Sequence, residues 1–173
     1  GLTPAERGTA LHAFLQFADW KILKKNVQGE LERLVKEGFL TAEQASAVNL
    51  SAVTDFCQTA VFERIQKSPR VLREYRFSVE IPAKRLDQEL TGSMAQEPVV
   101  LQGAIDCAFE ENGGIILMDY KTDHIKSAKE LWNRYQDQLL LYREALEKCL
   151  DLPVTECLLY SFALRKEIRE ANI

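Results

Sequence analysis

Two aspartates and a lysine, close together in the sequence, are the residues of this chain best suited to chemistry. Asp106 ends the segment Gly-Ala-Ile-Asp, and Asp119 and Lys121 follow it across a glycine-containing turn. Hard divalent cations bind carboxylate oxygens and leave positions for water and a substrate phosphate. Asp106 and Asp119 are therefore predicted ligands of magnesium or manganese, with the Tyr120 carbonyl as a further oxygen ligand. Lys121 would orient or deprotonate the attacking water, or offset charge on the phosphate in the transition state.

The same spacing also has a purely structural interpretation. A carboxylate and an amine two positions apart on a strand form a common surface ion pair, which contributes at most about 1 kcal/mol to stability. The spacing of Asp119 and Lys121 alone does not choose between an ion pair and a metal site.

The elements that must position these residues begin with a β-hairpin. Two apolar runs, residues 104–110 and 115–121, flank an Asn-Gly-Gly segment at 112–114 that suits the positive φ angles of a tight turn. Alternation along the second strand places Asp119 and Lys121 on one face, in line with apolar side chains.

Two helices are predicted on either side of the hairpin. Residues 6–20 carry apolar side chains at helical spacing, and His12 lies beside that stripe. A histidine there is more often packed and hydrogen-bonded than a metal ligand. Ser127 and Glu130 form a capping-box pair at the start of a long helix. On that helix Gln138 and Tyr142 share one face, which is also what an amphipathic core helix with a polar flank would show.

Two further charged residues are candidates for binding the substrate or ordering the site. Glu74 lies on a predicted strand over residues 73–83, where a solvent-facing position explains it equally well. Arg134, on the long helix, is placed to address a phosphate.

The remaining pattern indicates an α/β fold. Helices are predicted over residues 27–37, from Thr41 with Gln44 as its capping partner, and over residues 51–66, as a helical insert that packs on the core. A loop is predicted over residues 84–97, continuation of the hairpin strand over 99–102, a last strand over 156–162 and a charged tail over 165–170. The resulting order is α, β, β, β, α, β.

Composition agrees with one domain over residues 1–173. The chain is 46% hydrophobic and carries a formal net charge of −4, which argues against a sequence-independent basic DNA coat. It has neither a long apolar run nor a signal segment, so it is predicted to be neither membrane-spanning nor exported. Four scattered cysteines fit a reducing cytosol.

Four motifs in a fixed order resemble those of RecB-type nucleases in the PD-(D/E)xK superfamily. They are Gly8-Thr-Ala-Leu-His12, Gly103-x-x-Asp106, Asp119-Tyr-Lys-Thr122 and Gln138-x-x-x-Tyr142. Together with Arg73-Glu-Tyr-Arg-Phe77 they look like the C-terminal nuclease domain of AddA-type helicase-nucleases, over nearly the whole chain. The resemblance implies a restriction-endonuclease-like αβββαβ core, a mixed sheet flanked by helices, with a helical insert after the first helix. Ile105 replaces the proline of the superfamily name, as is usual in RecB-type members.

The resemblance also implies roles for single residues. His12 and both aspartates would bind metal, Lys121 would be catalytic, and Gln138 with Tyr142 would hold substrate or order the site. The implied activity is a Mg²⁺-dependent deoxyribonuclease, with Mn²⁺ as an alternative ion, that acts as an exonuclease rather than an endonuclease. Its implied setting is double-strand break processing and homologous recombination in the bacterial cytoplasm. The implied partners are DNA, helicase domains of the same parent chain and an AddB-like protein.

Two absences refine this expectation. Cluster-bearing relatives carry one cysteine before and three after the nuclease core, whereas Cys57, Cys107, Cys149 and Cys157 do not follow that pattern. No iron-sulfur cluster is therefore expected. No G-x-x-x-x-G-K-[ST] loop occurs, so these residues are expected neither to bind nor to hydrolyse ATP.

Two other functions remain open at this point. One is a stand-alone, phage or CRISPR-associated RecB-type exonuclease, although a start at Gly1 without methionine favours a domain excised from a longer protein. The other is a non-catalytic module that binds DNA ends. The intact set of Asp106, Asp119 and Lys121 argues against it, because an inactive copy has no chemical reason to keep all three.

Overall fold

The computed structural model describes residues 1–173 and places helices on both faces of a five-stranded sheet. The helices are α1 (Pro4–Phe17), α2 (Trp20–Leu23), α3 (Val27–Lys36), α4 (Ala42–Ala47), α5 (Leu50–Cys57), α6 (Ala60–Lys67), α7 (Gly92–Gln96) and α8 (Ala128–Leu150). The strands are β1 (Val71–Pro82), β2 (Pro98–Glu111), β3 (Gly114–Lys121), β4 (Val154–Ser161) and β5 (Lys166–Ile168). Short 3₁₀ turns span Ala83–Arg85 and Glu170–Asn172. This mixed sheet flanked by helices confirms the predicted α/β class.

The sheet order follows the chain, from β1 to β5, and only the β3–β4 pair is parallel. Since parallel neighbours need a crossover, α8 connects β3 to β4 across one face. The carboxyl ends of β3 and β4 therefore meet at one edge of the sheet, where binding sites of open α/β sheets usually form.

The predicted hairpin is confirmed, with its turn at the expected residues. Asn112 and Gly113 both have positive φ, 51° and 78°, as a tight turn between twisted strands requires. Residue 102 continues into the hairpin strand, because β2 is a single strand from Pro98. The turn fixes the register of β3, and with it the face on which Asp119 and Lys121 lie.

Each face of the sheet has its own hydrophobic core. Helices α1 to α6 cover one face, where Phe14, Phe56 and Phe62 are fully buried. Helix α8 covers the other face, where Leu131 and Leu146 pack on β3 and β4. Because apolar side chains cover both faces, β3 is buried along almost its whole length.

Two predicted helices are shorter in the structure. Helix α1 ends at Phe17 rather than at residue 20, because the Asp19 carboxylate accepts a hydrogen bond from the Lys21 N–H and starts α2. The helix predicted over 51–66 is divided in the same way. The Thr59 hydroxyl accepts from the Phe62 N–H and begins α6. Side-chain caps thus override an apolar pattern that continues through both breaks.

Two polar segments contain structure that was not predicted. The loop over 84–97 includes α7, and the charged tail over 165–170 includes β5, which pairs antiparallel with β4. Edge strands commonly carry charged residues, so β5 lacks the apolar pattern that identifies a strand. Ile168, the buried residue of β5, is its one inward-facing signal.

Predicted caps on two other helices have mixed outcomes. The capping box of Thr41 and Gln44 forms in full at α4. At α8, Ser127 accepts from the Glu130 N–H, but the Glu130 carboxylate accepts from Lys126 instead of completing the box. None of the helices is both long and apolar enough to span a membrane.

Candidate active site

Strands β1 and β2 lose their regular alternation at one point, where Glu74 lies opposite Asp106. The ladder is in register on either side, but these two residues form no ladder pair, and Glu74 has a left-handed φ of 49°. As a result Leu72 and Tyr75, three positions apart, both pack on the α8 side of the sheet. Such a conformation costs on the order of 1–3 kcal/mol for a residue with a side chain and is concentrated at functional sites.

His12, Glu74 and Asp106 form the group best able to hold a metal ion. His12 Nδ1 lies 3.0 Å from Asp106 Oδ1 and 3.9 Å from Glu74 Oε1. One ligand atom from each residue lies within 4.8 Å of the others. A nitrogen and two carboxylate oxygens suit magnesium or manganese, so the residues present fit the predicted ion.

Asp119 lies beside this group and shares its charge. Its Oδ2 atom is 2.7 Å from Lys121 Nζ, and its carboxyl is hydrogen-bonded to that of Asp106. Burial, followed by the neighbouring Asp106, raises the pKa of Asp119 to about 8. Burial also opposes ionisation of Asp106, but hydrogen bonds from His12, Asp119 and the Tyr120 N–H outweigh it and lower the Asp106 pKa. The two aspartates therefore retain one proton between them until a cation arrives.

The other two titratable groups respond to the same carboxylates. Burial lowers the pKa of His12, but the hydrogen bond and charge of Asp106 outweigh it, so the net shift is upward. Burial and the Asp106 charge raise the pKa of Glu74. Three carboxylates thus share one histidine and one lysine.

Helix α8 holds Lys121 from the opposite side. Lys121 Nζ donates to Gln138 Oε1 at 3.3 Å, and Gln138 Nε2 donates to the Tyr142 hydroxyl at 3.3 Å. The amine also lies 3.6 Å from the centre of the Tyr135 ring. The structure therefore brings Gln138 and Tyr142 to the predicted lysine, which an ordinary polar flank of a core helix would not do.

Gly103 is required by this arrangement. A Cβ atom there would lie 2.8 Å from the Phe77 ring and 3.1 Å from the Tyr142 hydroxyl. Since side-chain atoms do not approach so closely, the glycine of the Gly-x-x-Asp motif makes room for Tyr142 next to β2.

Arg134 lies outside the hydrogen-bonded group. Its guanidinium donates to Asp123 at 3.1 Å and to Glu130 at 3.5 Å, and its side chain is half exposed. The Tyr135 hydroxyl donates to the same Asp123 oxygen at 2.8 Å. A contact between Arg134 and a phosphate stays a prediction, as does the Tyr120 carbonyl as a metal ligand.

A cavity of about 300 Å³ opens between β3, α1 and α8. Its polar lining includes His12, Asp106, Asp119, Lys121, Gln138 and Tyr142. The predicted residues from four separate motifs thus line one space at the carboxyl end of β3.

Arg73 has a role that sequence reasoning missed. Its guanidinium donates to the carbonyls of Leu15 at 3.0 Å and Ala18 at 2.6 Å, and it lies 5.3 Å from the Trp20 ring. These carbonyls end α1, the helix that carries His12, and Arg73 directly precedes Glu74. Arg73 is therefore a positioning residue between two of the metal-binding candidates, and no local pattern connects groups so distant in the chain.

Comparisons with known proteins agree with this geometry. The family model described as the PD-(D/E)XK nuclease superfamily matches residues 1–170. The chain is 36% identical over 171 residues to the ATP-dependent helicase/nuclease AddA of Clostridium botulinum (strain 657 / Type Ba4), covering 97% of this chain and 13% of that protein. It is 37% identical over 175 residues to the protein of the same name from Geobacillus thermodenitrificans (strain NG80-2), covering 93% and 14%. The chain thus spans only 13 to 14% of the length of these relatives.

Proposed function

The chain belongs to the PD-(D/E)XK nuclease superfamily, and on this premise we propose that residues 1–173 form one domain that hydrolyses DNA phosphodiester bonds with a divalent metal ion. The observation that carries the proposal is the convergence of His12, Glu74 and Asp106 within 4.8 Å. They lie next to the Asp119–Lys121 pair in an open polar cavity.

The roles of the residues follow from their contacts. His12, Glu74, Asp106 and Asp119 would hold one or two magnesium or manganese ions. A bound cation would supply positive charge to the phosphate and lower the pKa of a bound water. Lys121, fixed by Asp119 and Gln138, would orient that water or offset charge on the phosphate in the transition state. Tyr142 keeps Gln138 in place for this contact.

The similarity to the two helicase/nuclease proteins suggests the biological setting. We infer that the domain belongs to a longer AddA-like helicase-nuclease and acts as a Mg²⁺-dependent exonuclease in double-strand break processing and homologous recombination. Helicase domains of the parent chain and an AddB-like protein would be its partners, in the bacterial cytoplasm. The support is the similarity along 97% of this chain to a protein whose name combines the two activities.

The test is cleavage of end-labelled single- and double-stranded DNA with magnesium, with manganese and with chelator. Wild type should cleave only with metal, and Asp119→Ala should reduce the rate at least about 100-fold. Asp137→Ala is the matched control, because Asp137 is an exposed aspartate of α8. Calorimetric titration with manganese reports metal binding separately. Cleavage in chelator, or by Asp119→Ala at the wild-type rate, would refute the proposal.

A further inference from the structure

A second cavity adjoins the catalytic one along α1. It has a volume of about 240 Å³ and shares Thr122 with the catalytic cavity. Its walls are mainly apolar and come from Pro4, Leu11, Ala47, Ala52, Phe162 and Ala163. We call it the α1 pocket.

Three polar groups at the α1 pocket lack a strong partner within the chain. Arg7 donates from Nε to the Leu2 carbonyl at 3.1 Å but pairs with no carboxylate, unlike most arginines of this acidic chain. The Thr122 hydroxyl and the His124 ring form no hydrogen bond to other residues. An apolar space edged by an unpaired guanidinium and an imidazole suits a flat, partly polar group attached to an anion.

The two cavities lie on adjoining faces of one helix. Arg7 and Leu11 line the α1 pocket, whereas His12 lines the catalytic cavity. Between them α1 comes close to the end of β3, since a Cβ atom on Gly8 would lie 3.0 Å from Thr122 Oγ1. A chain-like substrate that crosses this narrow ridge would occupy both spaces.

We propose that the α1 pocket holds one nucleobase of the polynucleotide whose scissile phosphate lies in the catalytic cavity. This inference rests on the proposed nuclease function. The pocket is smaller than the roughly 300–1,000 Å³ typical of sites for whole drug-sized ligands, and it therefore fits a single base. Arg7 is placed to contact the adjoining phosphate, and guanidinium and imidazole planes stack on bases.

The proposal limits the form of the substrate. A base can enter the α1 pocket only when it is unpaired and unstacked from its neighbours, which is cheapest in single-stranded nucleic acid. The nucleotide next to the scissile bond is then recognised by its base, and this recognition does not need the metal.

The experiment measures binding of fluorescent single-stranded DNA oligonucleotides in chelator, by anisotropy, so that no hydrolysis occurs. One abasic nucleotide is moved along the oligonucleotide. Wild type should bind about 10-fold more weakly when the abasic nucleotide occupies one particular position. In Ala47→Leu, which fills the pocket, intact DNA should bind about 10-fold more weakly and the abasic penalty should disappear.

Ala42→Leu is the matched control, since Ala42 is an exposed alanine of the same helix outside the pocket, and it should behave as wild type. Ala163→Leu, at an exposed wall position, replaces Ala47→Leu if that variant does not fold by circular dichroism.

A uniform response to the abasic scan, or an unchanged abasic penalty in a folded pocket-filling variant, would overturn the proposal. Wild type that does not bind single-stranded DNA would overturn it too. The nuclease function is judged separately, by cleavage with metal. Cleavage without a position-specific abasic penalty removes only the base pocket, whereas position-specific binding without cleavage removes only the nuclease function.

Discussion

Two clusters of charged side chains lie toward opposite ends of β3 and β4, and they are balanced in opposite ways. At the end away from the active site, Arg64 donates to Glu111 at 2.8 Å and to Glu156 at 2.7 Å, and Arg169 donates to Glu156 at 2.6 Å. The hydrogen bond from Arg64 lowers the pKa of Glu111. Burial opposes ionisation of Glu156, but Arg64 and Arg169 outweigh it and lower its pKa as well.

At the active-site end the carboxylates outnumber their partners. Glu74, Asp106 and Asp119 share His12 and Lys121, and the pKa of Asp119 is raised to about 8. The residue types are those of the other cluster, but cations of the chain do not complete the balance. The difference indicates that one cluster stabilises the fold, whereas the other gives up stability to keep a place for a cation.

The largest test of this contrast is Asp119→Asn, studied by denaturant unfolding in chelator. Because the folded pKa of Asp119 lies above its unfolded value, the folded state binds the extra proton, and wild-type stability should fall as pH rises from about 4 to about 8. Asn cannot ionise, so the variant should be more stable than wild type at pH 8, by on the order of 3 kcal/mol. A variant less stable than wild type at that pH would show that the active-site charges are balanced after all.

A smaller effect is expected for Arg73→Met, which keeps the length of the side chain but removes its hydrogen bonds. The carbonyls of Leu15 and Ala18 lose their donor, so the free energy of unfolding should fall by about 2 kcal/mol. If Arg73 positions His12 relative to Glu74, manganese affinity should fall as well, and Arg73→Lys should restore part of it. Unchanged manganese affinity by calorimetry, despite the lost stability, would reduce Arg73 to a purely structural role.

The smallest effect is expected at the balanced cluster, from Arg64→Met. Glu111 and Glu156 each lose a donor, and the free energy of unfolding at pH 7 should fall by about 1 kcal/mol, with metal-dependent activity unchanged. The folded pKa values of both glutamates are lowered, so this contribution is present above their unfolded pKa and is lost as pH falls through the folded values. Arg143→Met, which removes an exposed pair with Glu147 on α8, should cost less than about 0.5 kcal/mol. A difference between Arg64→Met and wild type that persists in acid would contradict the pairing.

Short-range features of the fold were predictable because their causes are local. The turn at Asn112 and Gly113 and the cap at Thr41 depend on residues within a few positions of one another. The breaks at Asp19 and Thr59 also have local caps, but a continuous apolar pattern obscured them. Strand β5 was not predictable, since only its pairing with β4 makes the charged segment a strand.

The sequence by itself determined the chemistry of the hairpin. Asp119 and Lys121 are two positions apart, and strand geometry alone places them on one face, so their 2.7 Å contact needs little from the rest of the chain. Tertiary structure decided which residues join them. Glu74 was equally explained as a solvent-facing residue, and only the pairing of β1 with β2 and a left-handed φ bring it to Asp106 and His12. A strand pattern specifies alternation, but it does not specify where alternation breaks, because packing on both faces of the sheet stabilises that break.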